Sequence, residues 1–228
     1  MAAEDALAQV AAEVRVCTKC ALHLNTKNGV PGEGDPNAEV MFIGEGPGYH
    51  EDRQGRPFVG PAGAFLNELL ASIGLDRSSV FITNVVKHRP PENRDPLPEE
   101  MAACAGYLDR QIAAIEPKVI VTLGRYSMAK FFPGVKISAI HGQAKLVNGR
   151  IVVAMYHPAA ALHQATLKQT VVDDFKRAIP AALAEAKRLA AEGKLGAKKD
   201  DDEQPRSRCH CSSDGQAFTL SSERRALG

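Results

Sequence analysis

Residues 39–60, EVMFIGEGPGYHEDRQGRPFVG, constrain this chain more than any other stretch. A short apolar run, 39–43, has the length and bulk of a buried strand and stops at Gly44. A loop rich in glycine and proline follows and carries Glu45, Tyr49, His50, Glu51, Asp52, Arg53 and Arg56. A polar glycine-rich loop at the carboxyl end of a strand is where open α/β sheets place ligand sites. Such a chain must build its sheet so that other strand ends reach the same edge.

The remaining pattern supplies them. The spacing predicts helices over 4–16, 62–73, 98–115 and 125–131, and a last helix from about 167, kinked or broken at Pro180. Strands are expected at 80–86, 118–123 and 151–155, with short strands at 135–140 and 144–147 before the turn signal Asn148-Gly149. Four strand ends carry Gly44, Asn84, Gly124 and His157. Alternation of strands and helices predicts a three-layer α/β/α fold with a central, mostly parallel four-stranded sheet. Residues 1–192 form the domain in this reading, and the polar residues 193–228 form a disordered tail.

Composition narrows the classes. The net charge of +1 over 228 residues gives no bulk attraction to nucleic acid, so any basic footprint is local. The first residues, MAAEDALAQV, lack the basic start and apolar core of a signal peptide, and no stretch has the apolar length of a membrane span. Five cysteines, two of them in Cys17-x-x-Cys20, suit a metal or redox site in a reducing compartment. Cys17 and Cys20 form with His88 and Cys104 a set of three thiols and an imidazole, suited to a Cys3His zinc site or an iron–sulfur cluster. Three unremarkable cysteines are the plainer alternative. Cys209-His210-Cys211, in the tail, reads as incidental.

Gly44-Glu-Gly-Pro-Gly48, Gly55-Arg-Pro-Phe-Val-Gly60, Thr83-Asn84-Val-Val-Lys87, Arg89-Pro-Pro-Glu-Asn-Arg94 and His157-Pro158 occur in an order that is itself diagnostic. From about Cys17 to Arg177 the chain resembles the family 4 uracil-DNA glycosylases, the iron–sulfur branch of that superfamily. The resemblance implies excision of uracil from DNA, single- or double-stranded, by a monomer in a bacterial or archaeal cytoplasm, with no membrane partner. It implies a [4Fe-4S] cluster on Cys17, Cys20, Cys104 and, where the family usually has cysteine, His88. Zinc is the alternative metal. The UdgX branch is similar in having histidine there, but its next loop carries a longer basic insertion with the histidine that links to DNA. The short loop from Arg89 to Pro96 therefore implies ordinary turnover.

The same resemblance assigns the pocket. Phe58 stacks on the base, Asn84 reads its imide edge, and Glu51 stands near the C5 edge to exclude thymine. His157 hydrogen-bonds O2 as charge develops there. Another branch has aspartate where this chain has Gly46, which leaves Glu45 to stabilise the sugar cation or orient water. Lys87, Arg89 and Arg94 are expected on phosphates, and Leu162 as a wedge in the vacated stack. Tyr49 and His50 replace acidic residues often seen in the family and receive no role. A DNA-binding or damage-sensing iron–sulfur protein with weak or no catalysis is the other functional reading.

Overall fold

A computed structural model of the protein describes residues 2–162 and 164–196. In chain order the elements are α1 (Ala3–Arg15), β1 (Glu33–Gly34), β2 (Val40–Gly44), α2 (Tyr49–Gln54), α3 (Pro61–Ala71), β3 (Phe81–Asn84) and α4 (Pro98–Ile115). Then come β4 (Val119–Leu123), α5 (Arg125–Ala129), α6 (Ile137–Ile140), β5 (Gln143–Val147), β6 (Arg150–Met155), α7 (Pro158–Ala161) and α8 (Ala165–Ala191). They form one six-stranded sheet in the order β1-β3-β2-β4-β6-β5.

The four central strands, β3, β2, β4 and β6, are parallel, as the sequence predicts. Two antiparallel edge strands raise the expected count of four to six. Parallel strands covered on both faces must be apolar throughout, and β2 and β4 are buried at every position. Alternation sorts their side chains: Val40 and Phe42 join the core under α3 and α8, while Met41 and Ile43 join the core under α4 and α5. Phe42 stacks on Phe175 of α8 with ring centroids 6.2 Å apart.

Strand order reverses at β2: the chain steps to β3 on one side, then crosses by α4 to β4 on the other. The crevice outside the carboxyl ends at such a reversal is the natural ligand site of an open α/β sheet. Register brings the ends level, with Gly44 opposite Asn84. Backbone pairing continues one step into the loops, where the Val85 and Val86 amides donate to the Gly44 and Glu45 carbonyls at 3.0 Å each.

Three local expectations change. Residues 137–140 form a helical turn and not a strand, because Ile137 and Ile140, three apart, both reach the core beneath β6. Helix α2 lies inside the glycine loop, where its sequence YHEDRQ has no apolar periodicity to announce it. Helix α8 runs unbroken through Pro180, which lies on the exposed side with Lys176, so the carbonyl that loses its donor faces water. Beyond Gly196 the expected tail, with Cys209, His210 and Cys211, lies outside the described residues.

The ends of β2 and β3 rest on a buried polar network. Lys87 is fully buried, and its Nζ donates to Thr83 Oγ1 (2.7 Å), the Asn84 carbonyl (2.8 Å) and Gln111 Oε1 (2.8 Å). Gln111 Nε2 in turn donates to the Pro31 carbonyl at 2.6 Å. Burial without a carboxylate partner pushes the Lys87 pKa down to about 7. Replacement of Gln111 by leucine strands the amine beside apolar atoms, which costs about 3 kcal/mol. Urea unfolding of Gln111→Leu is therefore expected to show that loss, and a change below about 0.5 kcal/mol contradicts this account of the network.

Candidate active site

The strand ends open on a cavity of about 380 Å³ bordered by Glu45, Gly46, Gly48, Glu51, Phe58, Asn84, Arg94 and His157. Seven of these eight arise from the sequence-predicted base-binding and catalytic set or from its glycine loop; Arg94 belongs to the expected phosphate contacts.

Asn84 ends β3 and is 1% exposed. Its Oδ1 is the single buried side-chain nitrogen or oxygen among the described residues with no hydrogen-bond partner. A buried acceptor left unpaired costs about 1–3 kcal/mol, and a ligand donor removes that cost. Gly44 gives it room: a Cβ there would collide with Asn84 Oδ1 and stand 2.7 Å from Phe58 Cζ. At Gly46 a Cβ would lie 2.7 Å from Val86 Cγ2, so an acidic side chain at this position requires Val86 to move.

Phe58 is buried at the cavity wall with φ +49°, a backbone region that bulky residues rarely occupy. Three contacts hold it there. Arg77 donates to the Pro57 carbonyl (2.5 Å) and the Phe58 carbonyl (3.1 Å), and Glu33 fixes Arg77 at 2.8 Å. Glu51 Oε1 accepts the amides of Val59 and Gly60 at 2.9 Å each, and its Oε2 accepts that of Gly48 at 3.1 Å. Gly63 completes the fit, since any Cβ there would collide with the Phe58 carbonyl. Glu51 thus borders the cavity as expected, with its carboxylate spent on tying two loops together.

His157 follows β6 and is half-buried, its ring against Phe58 with centroids 5.5 Å apart. Gly124 closes its other side: a Cβ on Gly124 would be 3.2 Å from His157 Cβ. Withdrawal from water pushes its pKa down to about 4, against a small opposing pull from Glu51. The Ala159 amide donates to Nδ1 at 3.1 Å, which places the single proton of the neutral ring on Nε2. Glu45, the residue after β2, has its pKa raised by burial and by Asp95, with Arg125 opposing.

The expected DNA contacts divide. Lys87 is corrected: its amine is enclosed by Thr83, Asn84 and Gln111 and reaches no surface. Arg94 borders the cavity, but both terminal guanidinium nitrogens donate to Glu100, at 2.6 and 2.9 Å. That pairing offsets much of its charge and caps α4, because Glu100 Oε2 also accepts the Leu97 amide. Arg89 is partly exposed and donates to Asn93 Oδ1 at 2.8 Å. Leu162 is exposed just after α7, beside cavity-lining Ala159 and Ala160.

The cysteine set gathers where α1 meets α4. Cys17 lies against Tyr107 of α4. Cys104 is 2% exposed, its pKa raised by burial and further by Cys20 and Cys17, while the Lys87 amide hydrogen-bonds it and lowers it. His88, buried next to Lys87, has its pKa lowered by burial and by His23. Gly29 passes between the Val14 carbonyl and His88; a Cβ on it would be 3.1 Å from Nε2. No three His, Cys, Asp or Glu side chains among the described residues converge closely enough for one metal ion. All three thiols are free. Single-ion zinc ligands must lie within about 2.0–2.3 Å of a common centre, whereas cluster ligands stand around a larger body. Three thiols and an imidazole are donors that an iron–sulfur cluster accepts.

Sequence reasoning missed Arg77, Glu33 and Gln111. Arg77 and Glu33 stand 44 residues apart and Lys87 and Gln111 24 apart, so no local spacing signals either pair.

Comparison with known proteins agrees with this geometry. Residues 31–180 match the model of the uracil DNA glycosylase superfamily. A type-4 uracil-DNA glycosylase of Sulfurisphaera tokodaii is 48% identical over 183 residues, spanning 76% of this chain and 83% of that protein. One from Archaeoglobus fulgidus is 47% identical, spanning 76% and 92%. One from Thermotoga maritima is 43% identical, spanning 77% and 94%. On a family match across the sheet and its site, and on identities held over most of both chains, this chain belongs to the uracil DNA glycosylase superfamily and to its type-4 branch.

Proposed function

We propose that this protein excises uracil from DNA and leaves an abasic site for base excision repair. The observation that carries this reading is the orphaned Oδ1 of Asn84 at the floor of the cavity. An imide N3–H is the donor it lacks. Cytosine presents an acceptor at N3, so the same oxygen that rewards uracil repels cytosine. Phe58 supplies the stacking face, and the Glu51 side chain, immobilised by three backbone amides, stands where a C5 methyl group would press.

The base must leave the helix to enter such a cavity. Cleavage of the C1′–N1 bond puts positive charge on the sugar and negative charge on uracil O2. A neutral His157 with its proton on Nε2 is a donor to that oxygen. Ionised Glu45 stabilises the sugar cation and orients water; water oxygen joins C1′, and one proton leaves with the base. Arg89 is the contact to backbone phosphate, and Leu162 fills the vacated stack. Arg94, paired with Glu100, shapes the cavity wall.

Cys17, Cys20, His88 and Cys104 would hold a [4Fe-4S] cluster. When bound, it would supply a structural cross-link between α1, α4 and the loop after β3. A monomer acting in a cytoplasm on either single- or double-stranded DNA completes the proposal.

Anaerobically purified protein incubated with a labelled oligonucleotide holding one deoxyuridine is expected to give alkali-dependent strand cleavage, without magnesium or nucleotide. Asn84→Ala and His157→Ala are each expected to lower kcat/KM by about 100-fold or more. Full activity in either variant refutes its assigned role, and a heat-stable slow-migrating band refutes turnover in favour of covalent capture. The pH profile gives a second check. Because the Glu45 pKa is raised, activity should fall with decreasing pH while pH is still above the ordinary carboxylate range, before His157 protonates near 4. Glu45→Gln is expected to remove that limb; an unaltered profile assigns the ionisation elsewhere.

A further inference from the structure

Tyr49 has no part in the chemistry above, yet it is the first residue of α2, next to cavity-lining Gly48, and 51% exposed. Two guanidiniums converge on its ring. Arg53, one turn along α2, has its Cζ 5.8 Å from the ring centroid; Arg89, from the loop after β3, has its Cζ at 5.3 Å. Both distances lie near the outer limit of a cation–π contact. His50 meets the ring edge-on with centroids 5.5 Å apart.

The arginines nearby behave differently. Arg56, Arg77, Arg94 and Arg125 each pair with a carboxylate. Among the described residues neither Arg53 nor Arg89 has such a partner. Two uncompensated cations beside one exposed aromatic ring repel each other until an anion arrives. The unmet needs of this patch are therefore a flat apolar surface and negative charge. A nucleotide offers both.

We propose that Tyr49, Arg53 and Arg89 form a second nucleotide subsite, which takes an unpaired base next to the flipped nucleotide in the same strand. The base lies on the Tyr49 ring and displaces a loosely held guanidinium, and the two guanidiniums take the adjoining phosphates. A neighbour that remains stacked and paired in a duplex cannot occupy the platform, so the subsite favours single-stranded or frayed DNA. This rests on the reading of the cavity as a flipped-base pocket and adds a strand preference to it.

The test separates binding from excision. Binding is measured by anisotropy with an oligonucleotide in which a hydrolysis-resistant 2′-fluorodeoxyuridine is flanked by the fluorescent base 2-aminopurine, alone and annealed to its complement. Stacking on one aromatic ring corresponds to roughly 5- to 140-fold in affinity. Tyr49→Ala is expected to reduce the single-strand to duplex affinity ratio about tenfold and to abolish the 2-aminopurine change on binding. Tyr49→Phe, which keeps the ring, should restore both. Arg53→Ala and Arg89→Ala should each flatten the salt dependence of single-strand binding. An unchanged ratio and an unchanged 2-aminopurine signal in Tyr49→Ala overturn the subsite, as does an equal loss on both substrates. Excision is scored separately on deoxyuridine: wild-type protein that binds through Tyr49 but excises nothing overturns the glycosylase reading and leaves the platform standing.

Discussion

The register that sets Gly44 opposite Asn84 governs the rest of the site. Once two parallel strands end level, their next residues must leave in the same direction, and a crevice opens above them. Only a glycine at the end of β2 leaves space for the Asn84 amide and the Phe58 ring to share it. The asparagine is then held from below by Lys87, which grips its carbonyl and has no access to water. A buried amine is an expensive support. It locks the carbonyl by one short hydrogen bond and leaves the side chain free to read a ligand.

The opposite wall shows the same economy of position over stability. Phe58 occupies a strained backbone region, and Arg77, Glu51 and Gly63 each remove one way for it to relax. The Ala159 amide donates to Nδ1 of His157 and so keeps the ring's proton on Nε2, and loss of water keeps it uncharged. In the proposed reading the Asn84 acceptor, the Phe58 ring and the neutral His157 donor are thus fixed before any ligand enters, which is the arrangement electrostatic catalysis needs.

The strand ends were legible because each is an apolar run closed by a glycine or a polar residue, and that pattern is local. The same locality explains the errors. Lys87 stands in a basic, proline-rich stretch that reads as surface, and its burial depends on Gln111, on a different element. Helix α2 has no apolar stripe; it is pinned by the buried Asp52 carboxylate, whose Oδ1 accepts the amides of Lys27 and Asn28 at 2.8 and 3.1 Å. The edge strands owe their existence to pairing partners: β5 is largely exposed, and β1 has only two residues. Tyr49 was visible as a departure from the family pattern, but its two arginine neighbours come from separate elements, and only folding brings them to one ring.

The central claim is that Asn84 Oδ1 lacks the N3–H of uracil. Ligand-observed nuclear magnetic resonance with free uracil and free 3-methyluracil tests it most directly, because the two bases differ in that one donor. Uracil is expected to show saturation transfer that Asn84→Ala abolishes, and 3-methyluracil is expected to show none. Equal binding of the methylated base would mean that the unpaired oxygen does not read the imide edge, and the account of specificity would be wrong.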